Sequence, residues 1–256
     1  MRQGRKRMSF KVVLASFLPQ NDIKKNLKRV EKLVAIAYKN KCNFICFPEC
    51  AITGLPTEDY KHDIKLGTEI PGYTTNKIAG WARRYNIYIA IGLLGRQNKK
   101  LFDTAVLFDN TGNILLKYRR INPQWHSKYV SKQYYSEGRL FKTCNLEFGK
   151  FGFAICGDIF DDRVINHIKK SKIDYLLVPM SRSFGEGCLD RNEWHKKEKY
   201  FYAQQIKKIG VNAFLVNAYE PGNDGSFGGA LIISKEGKIV AESDVGLDSI
   251  LIYRFY

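Results

Sequence analysis

The sequence predicts an α/β fold in which two mixed β-sheets stack face to face, with helices on their outer faces. Three observations lead there. Amphipathic helical segments alternate with short apolar runs along most of the 256 residues, and helices between apolar strands bury those strands by covering a sheet. Two turn signals, Asp109-Asn110-Thr111-Gly112 and Lys235-Glu236-Gly237, add antiparallel hairpins to an otherwise parallel pattern. The strands, roughly ten of them, are too many for one small sheet. No repeat, low-complexity tract or Gly/Ser-rich linker interrupts the pattern, so residues 10–256 are expected to form a single domain behind a basic tail, residues 1–9.

Val12–Phe17 opens as a strand. Asp22–Asn40 is expected to be a helix, because Ile23, Leu27, Val30, Val34 and Ala37 recur on one face with lysines opposite. Asn43–Phe47 is an unbroken apolar strand. Thr75–Tyr85 is a second helix, leading into the strand Ile87–Ile91. Thr104–Phe108 and Ile114–Tyr118 flank the first turn as a hairpin. Phe151–Cys156 is a strand, and Asp161–Lys170 a helix whose two leading aspartates sit where the helix dipole favours negative charge. Tyr175–Val178 is a strand and Glu193–Ile209 a long basic helix. Ala213–Asn217, Gly229–Ile233, Lys238–Glu242 and Ser249–Tyr253 complete the strands.

Forty-two Lys and Arg against 25 Asp and Glu give a net charge of +17, a field that attracts anions over long range without naming a partner. The first fifty residues are strongly basic and the last 46 slightly acidic. No apolar run approaches the ~18 residues of a membrane span, so no membrane partner is expected. Met1–Arg7 and Phe10–Leu18 imitate a signal peptide, but Lys11 interrupts the apolar part and no small-residue cleavage site follows. A cytoplasmic protein with reduced cysteines is therefore expected. Cys42, Cys46 and Cys50 recur every four residues, a spacing that structural zinc sites do not favour, and along a strand alternate side chains point apart. No metal is expected. There is no G-x-G-x-x-G after a strand, no P-loop, no H-E-x-x-H and no G-x-S-x-G, which weakens nucleotide, zinc-protease and serine-hydrolase readings.

Three places can carry chemistry, each at the end of an expected strand. Glu49, in Phe47-Pro48-Glu49-Cys50, follows a buried strand at the end where α/β sheets place working groups; an exposed loop acid is the simpler alternative. Cys156, in Ile155-Cys156-Gly157-Asp158, ends an apolar strand close to the next helix, where backbone N–H groups, Gly157 among them, can stabilise a thiolate and an oxyanion. Taken alone, Cys156 is more simply a small core residue. In Leu116-Lys117-Tyr118-Arg119-Arg120, strand alternation puts Lys117 and Arg119 on one face and Tyr118 and Arg120 on the other; a solvated edge explains only one of those faces. Together the three offer a nucleophilic cysteine, a general-base carboxylate and a cation for an oxyanion.

In this order, these residues resemble the nitrilase or carbon–nitrogen hydrolase superfamily. Phe47-Pro48-Glu49 with Thr53-Gly54-Leu55 resembles its glutamate motif, Tyr118-Arg119-Arg120 its Y-R-K motif, and Ile155-Cys156-Gly157-Asp158 its nucleophile motif. Pro179, Trp194, Ala203, Gly228-Gly229-Ala230 and Glu236-Gly237-Lys238 fall at further landmarks. The resemblance implies a four-layer αββα sandwich that pairs across a homodimer. It also implies hydrolysis of a small amide, nitrile or N-carbamoyl substrate through a thioester, without metal or organic cofactor. Catalytic Glu49, Arg120 and Cys156 follow from it, with Tyr135, Gly157 and Ser181 at the substrate. Two departures stand out. Arg120 occupies the place of the family's lysine, and the second glutamate of many members has no clear counterpart between Arg120 and Gly138, where Lys128 and Ser131 stand at the candidate positions.

Rival readings remain open in the sequence. His126 or His195 could activate Cys156 as in Cys–His enzymes. Asn192–Gly210 mixes lysines with Trp194, Tyr200, Phe201 and Tyr202, a composition that suits single-stranded nucleic acid. At helical spacing Trp194, Phe201 and Ile209 pack inward instead, so nucleic acid is not the expected partner. An impaired member that binds a ligand is the alternative to an active hydrolase. The positive charge favours an anionic substrate.

Overall fold

The computed structural model describes residues 9–183, 190–222 and 225–256. Residues 1–8 of the expected tail and Cys188 lie outside the described residues.

The first half of the chain runs β1 (Phe10–Ser16), α1 (Ile23–Lys39), β2 (Phe44–Cys46), α2 (Tyr60–Leu66), β3 (Thr68–Glu69), α3 (Tyr73–Tyr85), β4 (Tyr88–Gln97), β5 (Lys100–Phe108) and β6 (Ile114–Arg119). The second half runs β7 (Thr143–Leu146), β8 (Gly149–Phe153), a 3-10 turn over Cys156–Phe160, α4 (Asp162–Ser171), β9 (Tyr175–Met180) and α5 (Arg191–Glu193). A π-helical turn over Trp194–Glu198 then leads to α6 (Lys199–Ile209), β10 (Asn212–Asn217), β11 (Ala230–Ile233), β12 (Ile239–Glu242) and β13 (Ser249–Phe255). One sheet has the order β13-β1-β2-β4-β5-β6, with β3 beside β4; the other has β12-β11-β10-β9-β8-β7. Both are mixed, as the two hairpins require: β1, β2 and β4 run parallel, with β3 parallel to β4, as do β8, β9 and β10, and the remaining strands pair antiparallel.

Strand alternation builds four layers. Along β1, Phe10, Val12 and Leu14 point at the other sheet, where they meet Phe151, Phe153, Tyr175, Phe214 and Ile232. Val13 and Ala15 point the other way, onto the apolar faces of α1 and α3. Both faces being covered, the strand is apolar throughout. The second sheet repeats the scheme with α4 and α6 on its outer face. The result is an αββα sandwich. Its middle layer is aromatic, with Phe44 stacked on Phe151 at 5.6 Å and Phe10 on Phe148 at 4.7 Å; each such ring contributes about 1.5–3 kcal/mol on burial. Asp22 caps α1 by accepting from the backbone N–H of Lys24 and Lys25, worth about 1 kcal/mol.

Three differences from the sequence reading have physical causes. The strand expected over Ile87–Ile91 continues to Gln97, paired with β5 along its length. Gly92 and Gly95 obscured that extension, and Gly92 is needed: a Cβ there would lie 2.5–2.7 Å from backbone atoms of Pro48, Glu49 and Cys50. The strand expected over Phe151–Cys156 stops at Phe153, and Cys156 enters a turn at φ +46°. Of the inward face expected for the long basic helix, Trp194 and Ile209 are buried as expected, and Phe201 is corrected. Trp194 and Tyr202 are buried while Phe201 is half exposed, because the π-turn inserts an extra residue and rotates the later positions by one. Unanticipated α2, β3 and β7 are short and lack an apolar period.

Candidate active site

Four loops meet beyond strand ends. Glu49 follows β2, Arg120 follows β6, Cys156 follows β8 and Ser181 follows β9. This is the end of an open α/β sheet where ligands bind. Glu49 and Arg120 are 2% and 3% exposed, and Arg120 Nη1 donates to Glu49 Oε1 at 2.8 Å. The same Nη1 lies 3.6 Å from Asp103 Oδ2, while Nη2 donates to the Gln124 carbonyl at 3.0 Å. The guanidinium is thus held on two sides. A Cβ on Gly157 would stand 2.6 Å from Nη2 and 3.1 Å from Asn122 Oδ1. Glycine there lets the cation lie against the turn that carries Cys156.

That turn is fastened by Asp158. Its buried carboxylate accepts from the Tyr118 hydroxyl at 2.7 Å and from the backbone N–H of Ile155 (3.0 Å), Ile121 (3.1 Å) and Asn122 (2.7 Å). One side chain therefore joins the Cys156 turn to the segment carrying Arg120. Cys156 itself adopts the left-handed region, which costs a non-glycine residue about 1–2 kcal/mol and is tolerated where the surroundings over-determine it.

Burial first, and then the charge of Glu49, push the Cys156 thiol up to about 12, against the opposing pull of Arg120, of the Ser181 backbone N–H and of Arg182. The resting sulfur is therefore a thiol within electrostatic reach of both a base and a cation. Burial opposes the charge of Arg120, but Glu49, Cys156, Asp103 and Asp158 outweigh it and keep it cationic.

The structure brings Glu49, Arg120, Cys156 and Gly157 together. Ser181 joins them through its backbone N–H at the thiol, while its hydroxyl bonds to Ser226 at 2.9 Å. Tyr135 packs in a separate cluster with Leu94, Leu101 and Trp125, and its hydroxyl donates to Asp63 at 2.8 Å. Lys117 stands on the opposite face of β6, donating to the Ile70 carbonyl. The Cys–His alternative finds no support: both nitrogens of His126 are engaged, by Glu137 and Ser127, and His195 is exposed. Cys46 belongs to the layer between the sheets, Cys42 to the α1 side, and Cys50 lies 4.0 Å from Asp103. Sequence reasoning missed Asp103 and Arg182. A lone aspartate inside the apolar run Leu101–Phe108 was the available signal for the first; Arg182, two residues beyond β9, carries none.

The carbon–nitrogen hydrolase family profile matches residues 12–254, and this chain belongs to that family; it is a carbon–nitrogen hydrolase. Among individual proteins, it is 22% identical over 259 residues to a deaminated glutathione amidase of Dictyostelium discoideum, covering 94% of this chain and 85% of that protein. A carbon–nitrogen hydrolase from Helicobacter pylori G27 shares the fold with a TM-score of 0.83 at 16% identity, over 96% of this chain and 89% of that one. An amidase variant from Nesterenkonia sp. AN1, carrying the acetamide moiety of fluoroacetamide on its active-site cysteine, aligns with a TM-score of 0.78 at 15% identity over 98% and 92% of the two chains. Among the described residues no helix is long and apolar enough to cross a membrane.

Proposed function

We propose that this hydrolase cleaves a small amide through a thioester on Cys156, with Glu49 as general base and Arg120 as oxyanion donor. The observation that carries the reading is a buried thiol on a turn packed against the Arg120–Glu49 pair, within reach of one carboxylate, two guanidinium groups and one backbone N–H. Glu49 takes the thiol proton as sulfur attacks the acyl carbon. Arg120 and backbone N–H groups of the Cys156 turn and Ser181 hold the developing oxyanion. Glu49 returns the proton to the departing ammonia, then activates water to release the acid. A homodimer acting in the cytoplasm belongs to the same reading.

The charge of Arg182 favours an anionic acyl group. Arg182 lies over the rings of Phe160 (5.0 Å) and Tyr202 (5.9 Å). Its backbone is fixed by Asn217, which accepts from its N–H and donates to its carbonyl. Among the described residues no carboxylate lies within ion-pair distance of its guanidinium, and its charge reaches Cys156. Arg182→Ala is expected to raise KM for an amide bearing a carboxylate by about 10–100-fold, the worth of one charged hydrogen bond, while KM for an uncharged amide stays within threefold. Equal changes for both would remove the assignment.

Ammonia release from a panel of amides, nitriles and N-carbamoyl compounds tests the whole reading. Turnover of at least one amide is expected, with the acyl mass trapped on the peptide containing Cys156 after acid quenching. Ammonia without that adduct, or an adduct on another cysteine, would overturn it.

A further inference from the structure

We propose that Glu49 and Asp103 form a carboxyl–carboxylate pair sharing one proton, held on Asp103, so that Asp103 is a positioning residue for the base. The inference rests on the role proposed for Glu49. Asp103 projects from the middle of β5 and is 1% exposed. Its carboxyl group and that of Glu49 both reach the same Arg120 Nη1, at 3.6 and 2.8 Å, which brings the two acids close together. Glu49 Oε2 and Asp103 Oδ2 are both buried without a hydrogen-bond donor. A single proton between the two groups satisfies both atoms; without it, two carboxylates would face each other out of water, which is strongly opposed.

Distance decides which carboxyl group keeps the proton. Arg120 Nη1 is 2.8 Å from Glu49 but 3.6 Å from Asp103, so the cation favours the anion on Glu49. Burial and the neighbouring Glu49 both push the Asp103 carboxyl well above the usual range, more strongly than Arg120 pulls it down. The other groups facing Asp103 are Cys50 from the loop after β2, Tyr118 on β6 and Asp158 from the Cys156 turn; none supplies a second cation. Charge counting then gives the pair its purpose. With Asp103 neutral, Glu49 and Arg120 cancel. When the proton leaves Cys156 Sγ and bonds to Glu49, the thiolate and Arg120 cancel in turn. With Asp103 ionised, every stage would carry one excess buried negative charge opposing the thiolate.

Asp103→Asn keeps the shape, the neutrality and a hydrogen-bond donor toward Glu49, and cannot ionise. The first readout needs no substrate. A carboxyl group whose pKa is raised by folding contributes stability below its unfolded pKa and loses it as pH rises toward the folded value. The melting temperature of Asp103→Asn minus that of the wild type is therefore expected to grow as pH rises above 5 and to level off only where Asp103 itself ionises. A difference independent of pH, or a variant that does not fold, overturns the pair. The second readout is turnover of a small amide. Asp103→Asn is expected to keep kcat/KM within about threefold of wild type at pH 7 and to move the alkaline limb up by at least one pH unit, whereas Asp103→Leu loses more than tenfold. A tenfold loss in Asp103→Asn with an unmoved limb would mean that an aspartate anion is required, and would overturn the pair. If no amide is turned over, the hydrolase mechanism fails on its own, and the melting series still decides the pair.

Discussion

Asp158→Ala is expected to destabilise the protein by about 3 kcal/mol, through the orphaning of buried donors, and to remove nearly all turnover. The side chain is fully buried and accepts four hydrogen bonds, from one tyrosine hydroxyl and three backbone N–H groups. Burial raises its pKa against the pull of those bonds, so the carboxylate is not itself a large source of stability. What alanine removes is the common partner of four donors that water reaches poorly, at about 1–3 kcal/mol for each one left unmade, partly offset because the cost of burying the carboxylate goes with it. The catalytic consequence follows from connectivity. The Ile155 N–H precedes Cys156, and Ile121 and Asn122 follow Arg120, so one cut frees both the thiol and the cation. Cys156 would then relax from its left-handed conformation. Urea unfolding should show a lowered midpoint at unchanged slope; a loss below 1 kcal/mol, or kcat within tenfold of wild type, would remove Asp158 from this role.

Much of this arrangement is legible in the chain because it depends on periodicity and on strand ends. The alternation in β6 separates Lys117 from Arg120 correctly, and the apolar faces of α1 and α4 predict which sides they bury. Period-2 patterning also explains why β1 serves two cores at once. Features set by tertiary contact are not legible. Nothing local marks the π-turn that puts Tyr202, rather than Phe201, inward. Nothing local says that Tyr135 bonds to Asp63, 72 positions away. Asp103 is the instructive intermediate: its placement in an apolar strand signals a polar contact inside the molecule, but only the fold says that Glu49 and Arg120 are that contact.

Removing the guanidinium is expected to be the most damaging change to the site itself. Arg120→Ala takes away the partner of Glu49, the neighbour of Asp103 and the donor to Gln124. Breaking a buried ion pair by deleting one member costs about 3–5 kcal/mol. The buried carboxyl groups left behind can be neutralised by proton uptake, so the deficit should shrink as pH is lowered and widen above neutrality. Loss of one oxyanion donor typically lowers kcat by about 10²–10³, and in the proposed mechanism Glu49, its base, also loses its orienting contact, so at least the upper figure is expected. Arg120→Lys separates a working enzyme from an impaired one. Lysine keeps the charge but offers a point donor in place of a planar fork, and it cannot serve Glu49 and the Gln124 carbonyl together at the distances seen here. In a working enzyme shaped around arginine, kcat therefore falls between alanine and wild type. A gain in kcat would instead identify the Arg120–Glu49 pair, locked at 2.8 Å, as a brake on the base, and the protein as a family member whose pocket serves binding before turnover.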